Sequence, residues 1–300
     1  MCEEGRGFCM LLNRTDLAME LEGISHGAEG ILYDESEKDG ITTVRITVET
    51  EDAANSIGKP IGKYISITAP GILYDTDIYE RTVEAVADVI KELGDTKKAV
   101  LVAGLGNRSI TPDALGPEVV SRIFVTKHMK GRLDFDFVKE LGDVSAIAPG
   151  VLGTTGLNTS KILQGIVSVE KPGLIIAVDA YCAKSLDRIS TTVQVSDSGI
   201  IPGGGVGNRQ ASINEETMGV PVIAIGIPTV ADAVTVAAGI MKSEDENGIR
   251  KNLGNDCENL IVTPKDIDII IDRGAKTVAN AINRAFNPTL TLEEIESFTA

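Results

Sequence analysis

The sequence predicts an α/β domain: a doubly wound, mostly parallel sheet flanked by helices, with a strand-rich N-terminal portion. Three observations carry this prediction. Short, wholly apolar runs recur at Ala99–Gly104, Leu174–Val178 and Val222–Gly226, and a strand without polar residues is one covered on both faces, as in parallel sheets. Helical patterns lie between and after these runs, which is the grammar of βαβ units. Ahead of them, the apolar residues alternate with period two, as in half-buried strands.

In chain order, residues 28 to 40, with Glu35, Glu37, Lys38, Asp39 and Gly40, read as a turn between elements. Ile41 to Val48 alternates as a strand, and Tyr64 to Thr68 does the same before Pro70-Gly71 breaks it. Residues 17 to 76 are therefore the strand-rich portion. Ile78 to Leu93 sets Val83, Val86, Ala87 and Ile90 at helical spacing and stops at Gly94. After the run Ala99–Gly104, a helix is expected to open at Thr111-Pro112, with Thr111 as N-cap, and to continue through Ile123 and Phe124. A helix near Lys161 to Glu170 precedes the strand Leu174–Asp179. The strand Val222–Gly226 is followed by a helix over Val230–Met241. Residues 243 to 258, with Glu244, Asp245 and Glu246, read as an exposed loop, and a long helix from Pro264 to Phe286 closes the fold.

Composition narrows the function. At 300 residues and 43% hydrophobic content, the chain can bury a substantial core. A net charge of -16 argues against binding nucleic acid through the protein's own surface, because that binding depends on Lys and Arg neutralising phosphates. A basic protein partner is electrostatically possible. Cys2, Cys9, Cys182 and Cys257 show no CxxC spacing, which fits reduced thiols in a cytosolic compartment. The apolar patch Phe8 to Leu12 follows Glu3 and Glu4, unlike the basic start of a secretory signal. No uncharged apolar stretch reaches about 18 residues, so no membrane-spanning helix is expected.

Open parallel sheets form ligand sites at the carboxyl ends of their strands, which directs attention to Asp113 and Asp179. Asp179 ends an apolar strand and needs a partner if buried; Asp113 sits in the first turn of a helix, where pairing with the helix N-terminus would equally account for it. If the two carboxylates face one another, repulsion holds one protonated, giving an acid and a base from identical side chains. Gly104-Leu-Gly106 invites a nucleotide-binding reading, but Ser109 occupies the third glycine position. Asn107 and Arg108 either orient a substrate carbonyl or shape their own loop. Pro202 to Asn208, with Gly205 and Asn208, is a second glycine-rich segment suited to a substrate loop or to simple turns. His26 and His128 lack metal-ligand spacing, and no GxSxG elbow is present.

Several segments together resemble the germination protease family of spore-forming bacteria. They are Arg14 to Glu20, Gly104 to Asn107 with Thr111-Pro-Asp-Ala-Leu-Gly-Pro117, Ser145 to Gly150, Val178-Asp-Ala180, Pro202 to Asn208, and Gly226 to Val230 followed by Asp232-Ala233. The resemblance implies a fold related to hydrogenase maturation proteases and an unusual aspartic-type endopeptidase that needs no cofactor. It implies a homotetramer acting in the cytoplasm of the spore core on small acid-soluble, DNA-binding spore proteins, with no direct nucleic-acid or membrane binding. Asp113 and Asp179 match the family's essential aspartates. The family is made as a zymogen, and the matching cleavage position lies between Asp16 and Leu17, making residues 1 to 16 a propeptide and 17 to 300 the peptidase domain. Thr15-Asp-Leu-Ala18 also resembles the family's substrate signal of Thr, Glu, a large apolar residue and Ala. A metal-assisted maturation peptidase and a nucleotide-binding regulatory module are the alternatives.

Overall fold

Among the described residues, the apolar runs become neighbouring strands of one nine-stranded sheet. The computed structural model describes residues 15–21, 24, 28–130, 132, 135–203, 211–241, 248–249 and 260–299. The strands are β1 (Ile31–Lys38), β2 (Ile41–Val48), β3 (Gly62–Thr68), β4 (Val100–Gly104), β5 (Val144–Ile147), β6 (Leu174–Cys182), β7 (Thr192–Ser196), β8 (Val222–Asp232) and β9 (Ile261–Val262). Their order is β1-β2-β3-β7-β8-β6-β4-β5, with β9 on β8. The unit β8-β6-β4-β5 is parallel throughout. The N-terminal strands extend it as an antiparallel ribbon joined through β7.

Helices cover both faces of the parallel unit, so the fold class is the one the sequence predicts. Val100, Val102, Ile176, Val178, Ile223 and Ile225 meet the helices Thr76–Leu93 and Ile267–Phe286 through Val83, Val86, Val278 and Ile282. Leu101, Ala103, Ile175 and Ala177, on the opposite face, meet Leu163 of the helix Thr159–Glu170. Each such Val, Leu or Ile side chain stabilises the fold by about 1.5–3 kcal/mol relative to exposure.

The chain runs from β4 outward to β5, then returns to β6 on the other side of β4. The strand order therefore reverses between β4 and β6, and a crevice opens at their carboxyl ends.

Several expected boundaries are corrected. Residues 31–38 of the expected turn are strand β1, and the chain turns only on either side of it, at Glu29-Gly30 and Asp39-Gly40. Exposed on both faces at the sheet edge, β1 carries charges in place of an apolar alternation. Thr111 does not cap a helix. Thr111–Asp113 is a single 3-10 turn whose cap position is Ile110, and the helix that follows is confined to Leu115–Val120. β8 continues through Pro228 to Asp232, so the next helix begins at Ala233. Pro228 is tolerated because the ladder to β7 ends at Gly226. The helix Ile267–Phe286 does not close the fold, since a further helix spans Leu292–Thr299. Of the expected loop at 243 to 258, only Gly248 and Ile249 are described, and Ile249 is buried with Val234 and Ala238.

Candidate active site

Asp179 lies on β6 with the same parity as Ile175 and Ala177, which pack against Leu163 of the helix Thr159–Glu170. It is 5% exposed. Its Oδ1 accepts the Ala180 N–H at 2.9 Å, and the Gly203 N–H is a second backbone donor. Burial holds this carboxyl well above the usual carboxylate range, and the charges of Asp113 and Asp16 push it the same way.

Asp113 approaches from the loop after β4. The loop is fastened to β6 by the Leu105 N–H, which donates to Val178 O at 2.7 Å, and to β8 by the Thr229 hydroxyl, which donates to Pro112 O at 2.8 Å. Asp113 Oδ2 accepts the Asn107 N–H at 2.8 Å. Half-burial raises its pKa, and that hydrogen bond opposes the rise. Asp179 therefore holds a proton more firmly than Asp113.

Gly104 and Gly106 back onto the Gly116 and Asp113 carbonyls, where an added Cβ would stand 2.1 Å from oxygen. Their smallness serves this close backbone packing. The Asn107 side chain accepts the Ser109 N–H at 3.0 Å, and Arg108 pairs with Glu118 at 3.0 Å. Gly205 and Asn208 lie outside the described residues.

The segment Thr15–Leu21 crosses the same face beyond Asp179. The Asp16 N–H donates to Cys182 O at 2.9 Å, and Asp16 Oδ2 accepts the Cys182 N–H at 2.8 Å, tying Asp16 to the end of β6. Leu17 is fully buried among Tyr181, Ala183, Ile189 and Ala231. Glu20 accepts the N–H groups of Lys184 and Ser185 at 2.6 and 2.8 Å, together with the Thr15 hydroxyl. The Asp16 carbonyl accepts Lys59 Nζ at 2.9 Å and Gln194 Nε2 at 3.0 Å. The 16–17 peptide bond is thus fixed, and its Asp16 side chain is close enough to raise the pKa of Asp179.

Sequence reasoning did not single out Lys59, Gln194, Tyr181 or Glu20. Tyr181 follows Asp179 by two on the same strand, a period-two signal for a shared face. A Gln amid the apolar residues of β7 is the mark of a buried polar group with a task. Lys59 carries no such signal. The buried Cys182 thiol is pushed up to about 12, chiefly by burial, which fits a structural residue. Among the described residues, no group of three or more His, Cys, Asp or Glu is placed to hold a metal ion.

A family model described as germination protease matches residues 12–242. The chain belongs to the germination protease family. The germination protease of Caldanaerobacter subterraneus subsp. tengcongensis is 43% identical over 312 residues, covering 94% of this chain and 96% of that protein. That of Clostridium perfringens is 37% identical (95% and 98% covered), and that of Bacillus cereus 35% identical (95% and 96%). Among solved structures, a [NiFe] hydrogenase maturation protease, HycI from Thermococcus kodakarensis KOD1, aligns with a TM-score of 0.37 and 17% identity over 66% of this chain and 98% of its own. As a germination protease, the chain is a germination-related endopeptidase and acts on protein substrates. Among its described residues, no helix is long and apolar enough to cross a membrane.

Proposed function

We propose that this germination protease is a zymogen that cuts its own Asp16–Leu17 bond and then initiates degradation of small acid-soluble, DNA-binding spore proteins. The reading rests on one observation: a docked segment holds that bond beside a buried carboxyl, Asp179, which feels the charges of both Asp113 and Asp16.

In this mechanism Asp113, the less buried and more readily ionised member, takes a proton from a water molecule. The water oxygen attacks the carbonyl carbon. Asp179, kept protonated by burial, then delivers its proton to the departing nitrogen. The two carboxyls titrate as a coupled pair, and their roles follow from unequal burial. Asn107 supports the site by steadying Asp113 through its backbone N–H, and the Arg108–Glu118 pair shapes the loop. Gly205 and Asn208 contribute to a substrate loop. The enzyme works as a homotetramer in the cytoplasm of the spore core, without a cofactor and without binding nucleic acid or membrane directly. Its acidic charge favours basic substrate segments.

The test is to incubate the processed chain with a small acid-soluble spore protein and map the cuts by mass spectrometry. Cleavage within a Thr-Glu-apolar-Ala sequence, after the Glu, is expected. An intact substrate, or cuts scattered among unrelated sequences, contradicts the assignment.

A further inference from the structure

The Asp16 carbonyl receives two side-chain donors from elements remote in sequence. Lys59 follows the helix Glu51–Ile57, and Gln194 sits in the middle of β7. Their nitrogens stand 2.9 and 3.0 Å from one oxygen. Gln194 also accepts the Ala18 N–H at Oε1 over 2.7 Å, which fixes its amide with the NH₂ group toward Asp16. A single N–H satisfies the carbonyl of a docked strand. Convergence of an ammonium and a buried amide on this one carbonyl is the arrangement that stabilises negative charge developing on oxygen.

The sheet links these donors to the carboxyl pair. Asp179 pairs with Gly226 across β6 and β8, and Gly226 pairs with Gln194 across β8 and β7. Direct cross-strand partners share a face, so the Asp179 and Gln194 side chains rise from the same side, about 10 Å apart at their Cα atoms over two strand spacings. Tyr181 leans over Gly226 between them, where an added Cβ would stand 2.4 Å from its ring.

We propose that Lys59 and Gln194 are catalytic donors that hold the oxyanion formed at the Asp16 carbonyl when the 16–17 bond is cleaved. This inference rests on the self-cleavage reading above. As the water oxygen bonds to the carbonyl carbon, its proton passes to Asp113, and the carbonyl electron pair moves onto the oxygen facing Lys59 and Gln194. On collapse the C=O bond re-forms, the C–N bond to Leu17 breaks, and the Leu17 nitrogen takes the proton from Asp179. The products are a new Asp16 carboxyl and a free Leu17 amine. Burial lowers the Lys59 pKa, while Asp16 and Glu20 oppose that shift. A desolvated ammonium acts more strongly on charge at this distance than a solvated one.

The experiment follows the intact mass of the purified chain over time for the parent, Lys59→Met, Lys59→Arg, Gln194→Glu and Asp113→Asn, alongside hydrogen exchange of residues 15–21. Gln194→Glu keeps the acceptor for Ala18 while removing the donor, and the two donor variants lie on different elements. Loss of either donor is expected to slow release of residues 1–16 by about 10²–10³-fold, with Lys59→Arg retaining part of the rate and protection of 15–21 preserved. Cleavage of Lys59→Met and Gln194→Glu within threefold of the parent, with Asp113→Asn inert, overturns this inference and leaves the carboxyl pair standing. Slow cleavage accompanied by lost protection of 15–21 makes the two residues docking groups and also overturns it. A parent that never cuts at 16–17 removes the self-cleavage reading, and the inference falls with it.

Discussion

The Tyr181 ring lies directly over Gly226, so close that a Cβ added to the glycine would be 2.4 Å from three ring atoms. That contact builds the floor between Asp179 and Gln194, because Gly226 is the register partner of both. Gly226→Ala must displace the ring, which is buried and touches Leu17. A stability loss of about 1–3 kcal/mol is expected, as for other overpacked cores, together with faster hydrogen exchange in residues 15–21. Denaturant unfolding with exchange mass spectrometry checks both. An unchanged midpoint and unchanged protection would mean that the ring does not support the segment.

Asp179 also costs stability at neutral pH. Its pKa is raised in the folded chain, chiefly by burial, with Asp113 and Asp16 adding like charge. The folded chain therefore retains a proton that the unfolded chain releases above about pH 4. Stability from this group is fully present below that pH and is lost as pH rises through the raised pKa. Asp179→Asn removes the penalty, so its melting temperature should exceed that of the parent at pH 7, with the gap closing toward pH 4. A gap of equal size at both pH values would show that the carboxyl is not held protonated.

The parallel core was legible in the sequence because β4 and the first five residues of β6 and β8 are buried on both faces and wholly apolar. The same logic led to Asp113, in the loop after β4, and to Asp179, which follows the apolar run of β6, although β6 continues past it to Cys182 where the sequence suggested that the strand ends. β1 was not legible, since an edge strand exposed on both faces beyond Ile31 shows no apolar alternation and carries charges at Asp34, Glu35, Glu37 and Lys38. β7 is five residues long with Gln194 at its centre, too short for its period to register. Lys59 could not be found from sequence at all. Its role depends on pairing the segment around Asp16 with elements brought together only by the sheet.

Glu20 fastens the segment by accepting the backbone N–H groups of Lys184 and Ser185. Glu20→Ala leaves two donors without that partner, at an expected cost of about 1–3 kcal/mol. Glu20→Gln, which keeps an acceptor oxygen, should lose less. Exchange rates at Lys184 and Ser185 report the difference directly, and equal rates in all three chains would count against this anchor.

If the attacking water is activated by carboxylates alone, chelation has nothing to remove. Self-cleavage measured with and without an excess of ethylenediaminetetraacetate should agree within twofold. A rate that collapses with chelator and returns with added divalent metal would transfer the chemistry to a metal-assisted peptidase.

The most direct measurement of the central claim is the intact mass of the parent, Asp113→Asn and Asp179→Asn chains during incubation at mildly acidic pH, with circular dichroism confirming that each is folded. The account predicts that the parent loses residues 1–16 while both variants keep their full mass. Folded variants that shed residues 1–16 at the parent rate would contradict it.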